Sequence, residues 1–253
     1  MGQRARRMPA PHRIRAVLFD LGGTLVDERD FAGWAELARR CYLDLGTDDL
    51  AHAYMEVEDE FDRDPPSLDP EKTIVEFWRR TLSRSAGREV TAATAARYVA
   101  ARRESDGPMA LYSDARRCLE SLRREHRTLG VVSNSTSEAR VRSILNRVGI
   151  LSYFHRVVSS GTEGVAKPDP EIFRRAVERM GVTAGEAFYV GDLPNTDARA
   201  ARAAGLHSAW LNRAATTVGV DPTEITSLLE VPLCLQRIEG VSELRATVDR
   251  RAA

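Results

Sequence analysis

The chain has 253 residues with 37 basic and 37 acidic side chains, so no net charge would attract it to nucleic acid or to an anionic membrane. Its apolar runs are shorter than the roughly 20 residues of a membrane-spanning helix, and its three cysteines are too far apart for a disulfide framework. We therefore expect a cytoplasmic globular protein, monomeric or homodimeric, without nucleic-acid or membrane partners.

The first predicted element is a buried strand. Ala16-Val17-Leu18-Phe19 is an apolar run that ends at Asp20 and continues into Gly22-Gly23, a sequence typical of a tight turn. We therefore place Asp20 at the carboxyl end of this strand.

The next segment has helical periodicity from Phe31 to about Glu104. Its apolar residues recur at helical spacing, as in Trp34, Leu37, Ala38 and Cys41. The breakers Asp64-Pro65-Pro66-Ser67 and Asp106-Gly107-Pro108 divide and end it. We interpret residues 28–108 as a small all-helical insertion that forms a cap domain.

Strand and helix patterns then alternate, which is typical of a doubly wound parallel sheet in an α/β fold. The predicted helices cover 113–126, 136–148, 169–180 and 196–204, the strands cover 128–133, 156–159, 187–190 and 207–211, and residues 231–248 supply one more strand and a closing helix. Residues 13–27 and 109–248 would form this core, with flexible tails at 1–12 and 249–253.

Polar residues follow four of these strands, and the carboxyl ends of parallel strands are where ligands collect. The four sets are Asp20 with Gly22-Gly23-Thr24, Ser133-Asn134, Lys167 in Ala166-Lys167-Pro168-Asp169-Pro170, and Gly191-Asp192 with Asp197. Each set alone is also what a turn or a helix N-cap would contain. Their placement after strands of one sheet favours a shared site.

The chemistry of these residues suits phosphoryl transfer through an aspartyl phosphate. Asp20 would attack phosphorus, and Asp192 would hold a hard divalent cation between the nucleophile and a phosphate oxygen. Ser133 would donate a hydrogen bond to the phosphoryl group, and Lys167 would neutralise its charge. Asp197 would orient Lys167 or a water. Gly23, Thr24 and Asn134 complete the expected phosphate-binding residues.

The motifs Val17-Leu18-Phe19-Asp20-x-x-Gly23-Thr24-Leu25, Ser133-Asn134, Lys167-Pro168-Asp169-Pro170 and Gly191-Asp192-x-x-x-x-Asp197 resemble those of the haloacid dehalogenase superfamily, over about residues 15–213. The resemblance implies a Mg²⁺-dependent hydrolase of a small phosphorylated metabolite. It also implies that Asp20, Asp192 and the carbonyl of Gly22 bind the metal, and that the insertion is a C1-type cap which covers the site.

Gly22 departs from the family pattern, because phosphatases of this family usually carry a second aspartate there as general acid and base. One interpretation is a phosphatase whose leaving group departs easily, or whose proton comes from the substrate, a water or the cap. Another is dehalogenase or phosphonatase chemistry, the latter requiring a Schiff-base lysine, for which Lys72 is the only candidate in the insertion. A third is a phospho-ligand-binding protein without turnover.

The insertion contains aromatic residues that could line a substrate pocket or form the core of the cap. They are Trp34, Tyr42, Tyr54, Phe61, Phe77 and Trp78. Aromatic residues at helical spacing most often form a core, so the sequence does not identify the substrate.

Overall fold

A computed structural model describes residues 13–67, 69–105, 107–215 and 223–240. The strands are β1 (Ala16–Phe19), β2 (Val26–Asp27), β3 (Ala110–Leu111), β4 (Thr128–Ser133), β5 (Arg156–Ser159), β6 (Ala187–Gly191), β7 (His207–Leu211) and β8 (Glu224–Ile225). The α-helices are α1 (Phe31–Arg40), α2 (Thr47–Arg63), α3 (Pro70–Ala86), α4 (Ala92–Glu104), α5 (Ala115–Arg124), α6 (Glu138–Arg147), α7 (Ser160–Glu163), α8 (Pro170–Met180), α9 (Ala200–Ala203) and α10 (231–240). Short 3₁₀ turns occupy Leu151–Tyr153, Ala184–Glu186 and Leu228–Glu230, and a π-helix occupies Pro194–Arg199.

Six strands form a parallel sheet in the order β5-β4-β1-β6-β7-β8. The first strand lies inside the sheet, where Phe19 is in register with Val131 of β4 and with Val190 of β6. A strand with neighbours on both edges and helices on both faces must be apolar throughout, and all four residues of β1 are buried. The predicted α/β parallel sheet is confirmed, and Asp20 follows one of its interior strands.

Alternate residues of β1 belong to two different hydrophobic layers. Val17 and Phe19 pack in a cluster with side chains of α5, α6 and α10. Ala16 and Leu18 pack in a second cluster with side chains of α8 and α9. Because successive side chains of a strand point to opposite faces, helices cover the sheet on both sides, as a doubly wound fold requires.

Helices α1 to α4 lie between β2 and β3 and have a hydrophobic cluster of their own. Trp34, Trp78 and Tyr98 are at its centre, where the rings of Trp78 and Tyr98 are 5.0 Å apart and the Tyr98 hydroxyl donates to the carbonyl oxygen of Trp34. The chain enters and leaves this segment through the antiparallel pair β2–β3, in which Val26 is opposite Leu111. Within the described ranges, none of the helices is long and apolar enough to span a lipid bilayer.

The structure differs from the sequence expectation in three places near the edge of the sheet. The predicted helix at 196–204 is a π-helix over Pro194–Arg199 followed by α9. The strand next to β7 is Glu224–Ile225, which the sequence did not predict. Residues 231–240 are helical, whereas the sequence analysis placed a strand before the closing helix of 231–248, and residues 241–248 lie outside the described residues.

Candidate active site

The centre of the candidate site is a buried ammonium group between two carboxylates. Lys167 Nζ lies 2.5 Å from Asp20 Oδ1 and 2.6 Å from Asp197 Oδ1. All three residues are buried, with Lys167 6% exposed. In an environment of low dielectric constant these contacts are much stronger than surface ion pairs. The lysine therefore joins the end of β1 to the π-helix that follows β6.

Lys167 is held in place through its backbone by Asn134. The Asn134 amide nitrogen donates to the carbonyl oxygen of Lys167 at 2.8 Å, and its amide oxygen accepts from the Lys167 backbone N–H at 2.9 Å. Ser133, the last residue of β4, is buried beside them. Asn134 thus fixes the lysine loop to the edge of the sheet.

Tyr189 is a member of this network that the sequence analysis missed. Its hydroxyl accepts a hydrogen bond from Lys167 Nζ at 3.1 Å and donates to Asp197 Oδ1 at 2.9 Å. Tyr189 is fully buried in β6, and its ring packs edge-on against Phe173. An aromatic residue in an interior strand looks like a core residue in a sequence, so no pattern separates this one from the core.

Asp192 lies in a second loop that is pressed against the turn after β1. The Thr24 hydroxyl donates to Asp192 Oδ1 at 3.4 Å. A Cβ atom at Gly23, whose φ is +72°, would lie 1.9 Å from Asp192 Oδ2, so only glycine fits there. The indole N–H of Trp210 donates to the Asp192 carbonyl oxygen at 2.8 Å. Thr24 and Gly23 therefore position Asp192, and neither lines the cavity described below.

Arg29 provides the cation nearest to the Asp192 side chain. Its guanidinium lies 3.6 Å from Asp192 Oδ2 and 3.6 Å from Glu58 Oε2 on α2. Burial raises the pKa of Glu58, and the Arg29 charge opposes that shift. Neither Arg29 nor Glu58 was predicted. One lies in a loop and the other in a helix, and a contact between residues so far apart in sequence leaves no local signal.

The site carries more negative than positive charge. Burial and the Asp197 charge raise the pKa of Asp20 to about 7, although Lys167 opposes them. Burial and the charges of Asp20 and Asp197 raise the pKa of Asp192 well above its usual value. For Lys167, burial acts to lower the pKa, but the two aspartates it contacts raise it overall. The lysine is thus firmly protonated, and Arg29 is the other cation within ion-pair distance of these carboxylates among the described residues.

The donor set fits a hard divalent cation. Asp20, Asp192 and Asp197 each offer a carboxylate oxygen within 4.8 Å of the other two. Oxygen donors of this kind are the ligands that Mg²⁺ prefers. Asp197 already accepts hydrogen bonds from Lys167, Tyr189 and the Leu193 backbone N–H, so Asp20 and Asp192 are the better placed ligands.

A cavity of about 320 Å³ lies between the sheet edge and the helical segment. Gly22, Ser133, Asn134 and Lys167 line it on the sheet side, whereas Asp20 and Asp192 are not among its lining residues. On the helical side it is lined by Tyr54, Phe61, Phe77 and Trp78, by the acidic residues Glu58 and Asp62, and by Arg102 and Arg103. Four of the six aromatic residues considered from the sequence therefore reach the cavity.

The remaining residues considered in the helical segment lie elsewhere. Trp34 is buried in the core of that segment, and Tyr42 is 85% exposed. The Lys72 side chain is 74% exposed and forms an ion pair with Asp69 at 2.8 Å. Lys72 does not line the cavity.

The environment of Gly22 is acidic. A Cβ atom at this position would lie 2.8 Å from Oε1 of Glu28, the residue after β2. Glu28 also lines the cavity. The space into which a side chain at position 22 would project is therefore already occupied by a carboxylate from further along the chain.

Arg213 fixes the turn that carries Gly22. Its guanidinium donates to the carbonyl oxygens of Gly23 at 3.2 Å and Thr24 at 2.7 Å. It also forms two hydrogen bonds of 2.9 and 3.0 Å with Asp114, and it lies over the ring of Tyr112. The turn after β1 is thus held from outside the site as well as by Asp192.

A buried carboxylate after an interior parallel strand, next to a lysine and two further aspartates, is a set of residues suited to hydrolysis with a carboxylate nucleophile. The family model for haloacid dehalogenase-like hydrolases matches residues 14–205. The chain belongs to this family, as its motifs led us to expect.

Similar proteins of this family carry two kinds of activity in their names. Glyceraldehyde 3-phosphate phosphatase of Methanopyrus kandleri is 31% identical over 79% of this chain and 84% of its own length. Phosphoserine phosphatase of Thermus thermophilus is 38% identical over 41% of each chain. (S)-2-haloacid dehalogenase 2 of Pseudomonas sp. is 30% identical over 47% of this chain and 52% of its own. The chain thus spans about half or less of the length of the last two relatives.

Solved structures agree with the fold. The magnesium-bound hydrolase YfnB of Bacillus subtilis has a TM-score of 0.69 at 22% identity and matches 88% of this chain and 99% of its own. A HAD phosphatase of Thermococcus onnurineus has a TM-score of 0.59 at 26% identity over 87% and 97% of the two chains. The first likeness concerns the fold alone.

Proposed function

We propose that this protein is a Mg²⁺-dependent phosphatase that hydrolyses a small phosphorylated metabolite through an aspartyl phosphate on Asp20. The observation that carries the proposal is the contact of Lys167 Nζ with both Asp20 and Asp197, beside Asp192 and next to the cavity. A carboxylate nucleophile, an adjacent ammonium and a further carboxylate for a metal are the groups that phosphoryl transfer requires.

In the first step Asp20 acts as the nucleophile. Lys167 binds Oδ1 of Asp20, which leaves Oδ2 to attack phosphorus in line with the ester oxygen. The bond from Oδ2 to phosphorus forms, the bond from phosphorus to the ester oxygen breaks, and the alcohol leaves after taking up a proton. The ammonium group and the Ser133 hydroxyl stabilise the negative charge of the phosphoryl oxygens.

In the second step water attacks phosphorus, the bond to Asp20 breaks, and inorganic phosphate leaves. Asp197 and Tyr189 keep Lys167 in the same position throughout, because both bind the lysine side chain directly. Removal of either would let the ammonium group move away from the transferred phosphoryl group.

Asp20, Asp192 and the carbonyl oxygen of Gly22 would hold Mg²⁺. When bound, the cation neutralises the surplus negative charge and lets an anionic nucleophile approach an anionic phosphate. The raised pKa values of Asp20 and Asp192, which arise mainly from burial, support this assignment. Thr24 binds the Asp192 carboxylate, Trp210 binds its backbone carbonyl oxygen, and Gly23 leaves room for the side chain, so the residue is already positioned as a ligand.

Gly22 limits the leaving group. With no acid at this position, the alkoxide must take its proton from another group or be stable enough to leave without one. Substrates with acyl, aryl or anomeric phosphates meet that condition. Glu28 is the carboxylate nearest to the place that a side chain at position 22 would occupy.

The helical segment would act as a cap over the phosphate. Its aromatic residues Tyr54, Phe61, Phe77 and Trp78 line the cavity together with Lys167 and Ser133 of the sheet side. Such a cover excludes water and strengthens the electrostatic contacts beneath it. It also supplies the surface that selects the organic part of the substrate.

The other interpretations have weaker support. Phosphonate cleavage through a Schiff base would need a lysine facing the cavity, whereas Lys72 is exposed and paired with Asp69. Dehalogenation needs no metal, whereas Asp20, Asp192 and Asp197 converge as oxygen donors. A phospho-ligand-binding protein without turnover would not need a nucleophile held by a buried lysine.

The test is a set of assays with p-nitrophenyl phosphate and phosphorylated metabolites, with and without Mg²⁺, together with phosphonoacetaldehyde and 2-chloropropionate. Phosphate release that needs Mg²⁺ and disappears in Asp20→Asn supports the proposal. Asp44→Asn, an exposed aspartate in the helical segment, is the matched control and should retain activity. Full activity of Asp20→Asn, or release of chloride in place of phosphate, would exclude the mechanism.

A further inference from the structure

The cavity has positively charged residues in its lining besides Lys167. Arg102 and Arg103 from the end of α4 and Arg140 from α6 all line it. Arg102 and Arg140 have no carboxylate within ion-pair distance among the residues that the structure describes. The other groups that contact these two side chains therefore decide whether they can bind a ligand.

Arg102 is held by aromatic rings instead of by an acid. Its guanidinium lies 4.1 Å from the ring centre of Trp34 and 4.4 Å from that of Trp78. A guanidinium over an aromatic ring is attracted by the electrons of the ring, and this contact does not need an acidic partner for its N–H groups. The side chain is half-buried, so its donors are available inside the cavity and not spread in bulk solvent.

Arg140 is held by a backbone carbonyl oxygen at the end of α4. Its Nη1 donates to the carbonyl oxygen of Arg103 at 2.8 Å, which leaves the rest of the guanidinium without an acidic partner. Burial lowers the pKa of Arg140; the Glu28 charge opposes this, while the neighbouring Arg102 and Arg103 charges act in the same direction. The positive charges of Arg140, Arg102 and Arg103 repel one another, and an anion bound between them would remove that repulsion.

Arg103 differs from the other two because its charge is already compensated. Its Nη2 lies 2.8 Å from both carboxylate oxygens of Glu71. Glu28 is the acidic residue close to Arg140, so the group of Arg102, Arg140 and Glu28 has one positive charge in excess. A monoanion matches this excess better than a dianion does.

We propose that Arg102 and Arg140 bind a carboxylate on the substrate, so that the enzyme acts on phosphorylated carboxylic acids in preference to neutral phosphate esters. This inference rests on the proposed function and names its substrate class. The planar guanidinium pairs with a carboxylate through two parallel hydrogen bonds. With the phosphate at Lys167 and the carboxylate at the arginines, both ends of a small substrate are held across a cavity of about 320 Å³.

The test compares phosphate esters that differ in the carboxylate. The pairs are 3-phosphoglycerate with glycerol 3-phosphate and phosphoserine with phosphoethanolamine, and 2,3-bisphosphoglycerate represents a second phosphate. We expect kcat/KM to be about tenfold or more higher for the acid of each pair, which corresponds to about 1.4 kcal/mol. Arg102→Met and Arg140→Met should each bring the ratio close to one, mainly through a higher KM for the acid.

Arg103→Met is the matched control, since it removes a neighbouring charge that Glu71 already compensates, and it should keep the preference. Equal kcat/KM values within both pairs for the wild-type protein would overturn the inference, as would an equal loss of preference in all three variants. A preference for the bisphosphate over 3-phosphoglycerate would show a site for a second phosphate and would also overturn it.

The two proposals fail in different ways. p-Nitrophenyl phosphate has no carboxylate, so its hydrolysis tests the phosphatase proposal alone. If no ester is hydrolysed, calorimetric titration with 3-phosphoglycerate and glycerol 3-phosphate still tests the carboxylate site. Tighter binding of the acid that is lost in Arg140→Met supports the site, and equal binding of the two ligands contradicts it. Arg140→Lys, which keeps the charge, should retain part of the preference and shows that loss in Arg140→Met is not due to unfolding.

Discussion

Asp62 Oδ1 on α2 accepts a hydrogen bond of 2.7 Å from the backbone N–H of Thr196, in the π-helix after β6. The same carboxylate accepts from the backbone and side-chain amides of Asn195. Asp62 is only 4% exposed. A residue of the helical segment therefore caps the turn that carries Asp197, and it joins the cover of the cavity to the part of the site that positions Lys167.

Replacement of Asp62 by alanine should loosen this connection. The buried backbone N–H group of Thr196 and the partly buried one of Asn195 would lose a charged acceptor, which costs about 2 kcal/mol of unfolding free energy, and the π-helix would hold Asp197 less firmly. We expect faster hydrogen exchange over residues 193–199 and a lower kcat/KM. Asp59→Ala, one turn earlier on α2 and paired with Arg63 in solvent, is the control. Equal exchange in the two variants would show that Asp62 does not stabilise the turn.

Replacement of Asn134 by alanine should reduce activity by its effect on Lys167. Both hydrogen bonds of the Asn134 amide go to the backbone of this lysine, so the loop would lose its fixed position while every charged group remains. We expect kcat to fall about tenfold, equivalent to about 1.4 kcal/mol in the activation free energy, with a smaller change in thermal stability. Asn146→Ala, on an exposed position of α6, should behave as wild type. Unchanged kcat in Asn134→Ala would show that the lysine loop holds its position alone.

Mg²⁺ should stabilise the folded protein, because it would offset the repulsion among buried carboxylates. At a concentration about 100-fold above its Kd the gain is about 2.7 kcal/mol, which for a chain of this size raises Tm by about 5 °C or more. Asp192→Asn should raise the Tm of the metal-free protein, since it removes a buried charge whose pKa is raised by burial and by Asp20 and Asp197, and it should abolish the Mg²⁺ effect. Asp48→Asn, on the exposed start of α2, should change neither. A Mg²⁺ effect that persists in Asp192→Asn would place the cation elsewhere.

An aspartate introduced at position 22 should act as a general acid only if the Glu28 side chain no longer occupies the same space. The new Cβ atom would lie 2.8 Å from Glu28 Oε1, and two carboxylates would then share one space. We expect Gly22→Asp alone to change the dependence of rate on leaving-group pKa only slightly. Gly22→Asp with Glu28→Ala should flatten that dependence, because the aspartate could then protonate the alkoxide. A series of aryl and alkyl phosphates measures both slopes, and equal slopes would show that Glu28 does not interfere.

The sheet could be predicted because its strands are apolar runs with clear ends. β1, β4, β5 and β7 begin and end where the sequence predicted, and β6 is one residue longer. The strands β2, β3 and β8 could not be predicted, because a strand of two residues shows no periodicity. The π-helix escaped prediction because its wide turn depends on Asp62 and on the contact of Asp197 with Leu193, which are tertiary interactions.

The candidate site was predictable as far as each residue follows a strand. Asp20, Ser133, Asn134, Lys167 and Asp197 do come together at one edge of the sheet. The contacts made by Tyr189, Arg29 and Asp62 could not be predicted, because each joins elements that are distant in sequence. Thr24 shows a further limit, since its type suggested phosphate binding whereas its hydroxyl contacts Asp192.

The β2–β3 pair has a consequence for how such a protein can be altered. Asp27 lies opposite Ala110, so the chain returns to the sheet next to the point where it left. Helices α1 to α4, with their own apolar centre, form a cassette whose two ends are already joined. Exchange of this cassette for another of different lining, with Asp62 and its acceptor geometry retained, would give a new choice of substrate while the residues around Asp20 stay as they are. Apart from Arg140 on α6, the residues that we expect to select the substrate are thus encoded in a stretch of the gene separate from the residues around Asp20.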